Sequence, residues 1–173
     1  MNDRDHVPSP DFVQSEGLPF LAHVLRRLSD EFVQGCERWY PLFGLTAPPR
    51  TASTLHLLLR HGPRSVTEIA EALRQSHPLV ITWVRQLKAL DLIATAVDPA
   101  DRRRTIVRLT DSGTAEAERM LAADKVIDSA YQTLLDEADA PVFDALWRLE
   151  AATRDRSFLE RLVAAQTAGQ ESG

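Results

Sequence analysis

The chain has 173 residues, 44% hydrophobic and 26% charged, with 20 Lys and Arg against 25 Asp and Glu. That is an ordinary soluble globular composition, long enough for one domain or two small ones with a core that needs neither disulfides nor metals. A single cysteine, Cys36, excludes an internal disulfide framework, no apolar run approaches the roughly 20 residues that cross a bilayer, and the polar start, Met1 to Gly17, lacks the apolar core of a signal peptide; a cytoplasmic protein with no membrane partner is expected.

Residues 1–17 read as a flexible arm. From Leu18 onward apolar residues recur at steps of three and four (Leu18, Leu21, Leu25, Leu28, Phe32, Cys36, Trp39, Phe43), which predicts a first helix over residues 19–40. Pro41, Gly44, Pro48 and Pro49 break it, and a second helix with Leu55, Leu58 and Leu59 inward ends at Gly62 and Pro63, the expected stop signals. Ser65 and Glu68 have capping-box spacing ahead of a third helix over residues 66–74. Ser76 can cap a fourth helix, with Pro78 tolerated in its first turn and Val80, Trp83, Val84, Leu87 and Leu90 inward. Two short helices joined by a tight polar turn make a helix-turn-helix.

After Asp91 the period falls to two. Residues 93–97, a turn at Asp98-Pro99-Ala100-Asp101, and residues 104–109 predict a hairpin with three arginines at and beyond its tip. Thr110 caps a fifth helix over residues 111–136, and a sixth is expected over residues 141–166, followed by a frayed tail. Helices this long cannot bury their apolar length on one small domain, so a homodimer built from the two ends of the chain is expected. The fold class is therefore mainly α with a small β-hairpin wing: a winged helix-turn-helix with an all-helical dimerisation region. The expected divisions are the arm (1–17), a dimerisation helix and linker (18–47), the winged module (48–110), the C-terminal dimerisation helices (111–166) and the tail (167–173).

The formal charge of −5 hides an asymmetry. From Arg60 to Arg108 nine basic residues face five acidic ones, a net +4, which leaves −9 on the rest. A basic module in an acidic scaffold suits double-stranded DNA as partner. A recognition helix enters the major groove with its N-terminal side chains toward base edges, while a wing brings arginine to the backbone or minor groove. The residues off the inward stripe of the fourth helix are His77, Pro78, Leu79, Ile81, Thr82, Arg85 and Lys88; with Ser65, Ser76, Asp101, Arg102, Arg103 and Arg104 they form the expected DNA-binding set. Strand alternation sends Arg102 and Arg104 to different surroundings from Arg103, so only one of the two need meet phosphate.

The stretch Leu55 to Ala70 (LHLLLRHGPRSVTEIA), and above all Asp98-Pro99-Ala100-Asp101-Arg102-Arg103-Arg104 leading to Leu109, Thr110 and Gly113, resembles the MarR (multiple antibiotic resistance regulator) family of transcription factors. Helix order extends the resemblance over about Leu18 to Val163, in pattern only at the outer helices. It implies a regulator, most often a repressor, that binds a pseudo-palindromic operator as a dimer and lets go when a small molecule enters. It places the wing-tip arginine on Arg103, with Asp101 orienting it, pairing with Arg85, or simply forming the turn. Two departures stand out. The family often has Thr and Arg where this chain has Ile81 and Thr82, so Leu79 or Ile81 meets thymine methyls or the sequence is read partly by shape. Asp91 stands where a helix-ending glycine is usual.

The resemblance also implies a crevice for a small aromatic or phenolic effector, with His23, Arg26, Trp39, Tyr40, His56 and Tyr131 as wall residues. Each has a plainer reading: Trp39 and Tyr131 as packing, His23 and His56 as half-exposed surface, Arg26 as a solvated charge. Cys36 lies on an apolar stripe, where a thiol stays protonated and inert. His56 and His61, about 140° apart around a helix, share no face, so no metal site is expected, and no cofactor. No glycine-rich phosphate loop, nucleophile elbow or H-E-x-x-H points to an enzyme. The remaining alternative is a winged-helix adaptor or antirepressor that binds another protein through Leu79 and Ile81.

Overall fold

The computed structural model describes residues 11–171. Residues 1–10 of the expected arm and the last two residues of the tail lie outside the described residues. Eight helices, α1 (Phe12–Glu16), α2 (Leu21–Trp39), α3 (Ala52–His61), α4 (Val66–Leu73), α5 (His77–Ala89), α6 (Asp111–Ala138), α7 (Val142–Asp155) and α8 (Phe158–Glu171), are joined by three strands, β1 (Arg64–Ser65), β2 (Ile93–Val97) and β3 (Thr105–Leu109), among the described residues. The chain divides into two units within α6, the first ending at Ala123 and the second beginning at Asp124.

In the first unit the sheet has the order β1-β3-β2, antiparallel throughout. The hairpin register pairs Ile93 with Leu109 and Thr95 with Val107, so Ile93 and Val107 fall on one face and both are buried. Beneath that face Leu55 of α3, Ile69 of α4, Val80 and Leu87 of α5 and Met120 of α6 are fully buried and form one core. Of the stripe expected on the recognition helix the core takes Val80, Trp83, Val84 and Leu87, all buried, whereas Leu90, expected inward, stands at the C-cap of α5 and is 42% exposed. Strand β1 was not expected. It is two residues long, too short to show a period, and exists because Arg64 and Ser65 pair with Val107 and Ile106.

Helix α6 is seated by two close fits. Thr110 donates its hydroxyl to the Asp91 carbonyl (2.6 Å) and its amide to the Leu92 carbonyl (3.1 Å), while its Oγ1 accepts the Gly113 amide (3.0 Å). Gly113 then lies so near Leu92 that a Cβ there would sit 1.7 Å from its carbonyl oxygen. One turn on, Glu116 is buried and accepts from the Thr46 hydroxyl (3.0 Å), the Thr46 and Ala47 amides (2.9 Å for Ala47) and the Arg119 guanidinium (2.7 Å). Burial alone pushes its pKa up, but the donors from Thr46, Arg119 and Ala47 outweigh burial and leave it lowered. Asp91 adopts the left-handed conformation, φ 56°, in the place where a glycine was anticipated by resemblance. The Leu92 amide nonetheless closes the end of α5 on the Leu87 carbonyl (3.0 Å), so the fold tolerates the strain.

Several expectations are corrected. Part of the arm is ordered: Asp11 caps α1 by accepting from the Val13 amide and pairs with Arg27 at 2.7 Å. The first helix begins at Leu21 after a 3₁₀ turn, Leu18–Phe20, and ends before a second one, Tyr40–Phe43. In the second unit the single helix expected over 141–166 is two, α7 and α8, separated at Arg156 and Ser157, and the tail expected to fray continues as α8 to Glu171. The break is a second capping box: Glu160 accepts from the Ser157 hydroxyl (2.8 Å) and amide (2.7 Å), which lowers its pKa, and Arg161 donates to the Ala152 carbonyl at the end of α7 (2.9 Å).

Gly113→Ala should lower the thermal midpoint sharply, because the methyl meets backbone and not a movable side chain; a loss at or beyond the upper end of the about 1–3 kcal/mol usual for overpacking is expected in denaturant titration.

Candidate nucleic-acid interface

The site is assembled around one carboxylate. Ser65 ends β1 and caps α4: the Glu68 amide donates to Ser65 Oγ (3.2 Å), and Glu68 Oε2 accepts from the Ser65 amide and hydroxyl, each at 2.7 Å. The same oxygen lies 3.0 Å from an Nη of Arg104, at the base of the wing. Arg104 also reaches Ser65 Oγ (3.4 Å) and approaches Asp98 across the hairpin (3.8 Å). The Ser65 amide, the Ser65 hydroxyl and the Arg104 guanidinium together hold the Glu68 pKa down to about 2.

Between these anchors the wing tip turns on its own backbone. The Asp98 amide donates to the Arg104 carbonyl (3.0 Å) and the Arg104 amide to the Asp101 carbonyl (2.9 Å). Asp98 Oδ1 accepts the Ala100 amide, and Asp101 Oδ1 the Arg103 amide at 3.0 Å. Asp101 makes no ion pair with Arg103 or Arg85 among the described residues, so its geometry is that of the turn former. Arg102 and Arg103 are exposed at the tip.

One side of α5 from His77 to Lys88, the wing and the start of α4 line a cleft of about 370 Å³, with His77, Ile81, Arg85, Lys88, Arg103 and Arg104 among its walls. Lys88 spans from α5 to the wing by donating to Thr95 Oγ1 (3.0 Å). The cations of the cleft and of the wing tip therefore differ in kind. Arg104 and Lys88 are bound to the protein, whereas Arg85, Arg102 and Arg103 make no hydrogen bond or ion pair through their side chains among the described residues. Of the expected contact set, Ser65 is buried, 2% exposed, with its hydroxyl committed to Glu68, and it serves to place Arg104. Ser76 stands at the N-cap of α5, but its hydroxyl makes no capping bond, contrary to expectation; its carbonyl accepts the Val80 amide instead (3.1 Å). His77, Pro78, Leu79 and Thr82 are exposed, and Ile81 is half-buried against the cleft.

The residues expected around an effector do not line this cleft. Trp39 packs against Phe43 (ring centroids 5.0 Å) and Tyr40 (6.2 Å), and Tyr40 is buried. His23 and His56 are half-buried, Arg26 is exposed, and Tyr131 belongs to the second unit. Burial raises the Cys36 pKa, as expected of a thiol on an apolar stripe. No metal-binding cluster of His, Cys, Asp and Glu occurs among the described residues, and no helix of theirs is long and apolar enough to cross a membrane. Sequence reasoning missed the Arg104–Glu68 pair and Glu116; the second had a signal, a carboxylate at helical spacing between the small and apolar residues Gly113, Ala117 and Met120.

The family profile described as MarR family matches residues 43–104, from the end of the 3₁₀ turn to the base of the wing. The chain belongs to the MarR family of winged-helix transcriptional regulators. It is 40% identical over 68 residues to the HTH-type transcriptional repressor NicR of Pseudomonas putida; that match spans 39% of this chain and 43% of NicR, less than half the relative's length. Over fuller lengths it is similar to the Staphylococcus aureus MepR–DNA complex, with 26% identity, TM-score 0.60, and coverage of 80% of this chain and 98% of MepR. It is also similar to Bordetella bronchiseptica BpsR, in a structure describing regulation of its DNA binding by 6-hydroxynicotinic acid, with 27% identity, TM-score 0.56, and coverage of 79% and 94%.

Because the folded state holds the Glu68 pKa below its ordinary value of 4.5, the clamp contributes stability above pH 4.5 and loses it as the pH falls toward about 2. Glu68→Gln should make the fall of the thermal midpoint across that window shallower than in the parent chain. At neutral pH, Arg104→Ala should speed amide exchange in the hairpin from Val97 to Thr105, whereas Arg103→Ala leaves it unchanged.

Proposed function

We propose that this chain is a cytoplasmic repressor that binds a pseudo-palindromic DNA operator as a homodimer and is released by a small aromatic or phenolic molecule. The observation that carries the DNA reading is the allocation of cations in the cleft and at the wing tip. Arg85, Arg102 and Arg103 remain available at the surface, beside an exposed helix N-terminus, while Arg104 and Lys88 hold the frame. Arginines left unpaired on a frame fixed in this way suit phosphate and base edges. The MepR–DNA complex, similar over nearly all of that protein, supports the same use of the fold.

Homodimerisation is supported by apolar surface that a monomer would leave in water. Leu21, Val24, Leu25 and Leu28 of α2 are exposed in the first unit; in the second, Phe143, Trp147, Phe158 and Leu159 are 57–69% exposed. Burial of such area stabilises by about 25 cal/mol per Å², so faces of this size favour association. The effector reading is supported by the BpsR structure, with Trp39, His23 and His56 of the first unit as the aromatic and polar groups to test.

The experiment is a salt titration of binding to a duplex selected from random sequence. A dimer neutralising about 6 to 10 phosphates gives a slope of log affinity against log salt of about −5 to −9. Arg103→Ala should weaken binding and flatten that slope by about 2, one contact per protomer. A response independent of salt would remove the reading.

A further inference from the structure

The recognition helix offers bases an unusual surface, and its exposed ridge can be read residue by residue. With Val80, Trp83, Val84 and Leu87 buried, the line farthest from the core runs through Pro78, Thr82 and Arg85 at steps of four and three. Ile81 is turned aside to the wall of the cleft, and Leu79, 38% exposed, lies on the opposite flank. Neither of the two residues expected to meet thymine methyls is therefore on the ridge itself.

What the ridge does present is mostly carbon. Pro78 has no amide hydrogen and offers a ring. Thr82 donates its hydroxyl to the Pro78 carbonyl one turn back (3.1 Å), so toward a base it retains a methyl group and an acceptor lone pair. No side-chain donor stands on this ridge before Arg85, which makes no hydrogen bond or ion pair through its side chain among the described residues. In the major groove an apolar contact distinguishes thymine by its 5-methyl group, and an arginine distinguishes guanine by N7 and O6.

We propose that α5 reads its half-site by methyl contact followed by one arginine: the Pro78 ring and the Thr82 methyl pack on thymine 5-methyl groups, and Arg85, about a turn further along the helix, takes a guanine. This rests on the DNA-binding reading above and adds which bases are chosen and by which atoms. Thr82 is a specificity residue through its carbon, not its hydroxyl.

The test uses the full chain and the duplex selected from random sequence, with each thymine of a half-site replaced in turn by uracil, which removes only the methyl, and each guanine by 7-deazaguanine, which removes only N7. The expected result is a loss of about fourfold for uracil at one or two positions per half-site, the worth of one buried methyl group. Thr82→Ser, which keeps the hydroxyl and deletes the methyl, should bind the thymine and uracil duplexes equally at one of those positions. Arg85→Ala should erase the penalty for 7-deazaguanine while leaving the uracil penalties in place. Salt-dependent binding to the selected duplex with no uracil penalty anywhere, or an unchanged uracil pattern in Thr82→Ser, would overturn this assignment while leaving the DNA reading intact. Absence of saturable duplex binding would overturn both.

Discussion

One carboxylate oxygen decides where the wing stands. Glu68 Oε2 receives the amide and the hydroxyl of Ser65 and the guanidinium of Arg104, so the cap of one helix and the anchor of a distant hairpin are a single group of charge-assisted hydrogen bonds. A hairpin held only by its two strands would swing at its tip. Fastened to the start of α4, which itself packs on α5, the wing keeps its spacing from the recognition helix. Lys88 repeats the tie from the other side by reaching Thr95. Two cations thereby tie the wing to the helices, and Arg85, Arg102 and Arg103 are carried on backbone whose position those ties fix.

A comparable economy operates where α6 leaves the winged module. Thr110, Gly113 and Glu116 occupy successive turns of one face and address the Leu92 carbonyl, the Leu92 backbone and the loop at Thr46 and Ala47. Each contact uses backbone as partner, which is stiffer than side chain. Movement of the first turns of α6 must therefore be shared by the end of α5 and by the loop ahead of α3. None of these three residues touches the cleft.

What could be read from the sequence was what is local. Ser65 and Glu68 stand three apart, and that spacing alone implies the cap; Thr, Val and Ile on either side of Asp98-Pro99-Ala100-Asp101 imply a hairpin. The partner of Arg104 could not be read, because Ser65 and Glu68 meet it only after the hairpin has folded back on α4, and charge pairing across such distances leaves no periodicity. Strand β1 is invisible for the same reason: two residues become a strand only by finding Val107 and Ile106. The break between α7 and α8 is different. Ser157 and Glu160 repeat the spacing of Ser65 and Glu68, yet the apolar stripe runs on across them, so the periodicity of the sequence hides a break that the cap dictates. At Glu116 an apolar stripe again concealed a polar function, here a buried carboxylate satisfied by four donors.

The distribution of charge and carbon then limits which partners each region can accept. From Asp124 to the end the sequence carries ten acidic and five basic residues, a net −5 equal to the formal charge of the whole chain. That region repels a polyanion at a distance, while the stretch from Arg60 to Arg108 attracts one. The second unit nonetheless exposes Trp147, Phe143, Phe158 and Leu159, side chains whose exposure to water is unfavourable and whose natural covering is other carbon. Salt should accordingly act on the two regions in opposite senses. Added salt weakens the attraction of duplex for the cleft, but it screens the mutual repulsion of two acidic surfaces and so favours apolar contact between copies. On the proposed reading of a dimeric repressor, DNA is lost at high salt with the dimer still intact, which makes the state of assembly and the occupancy of the cleft separable variables in one and the same titration.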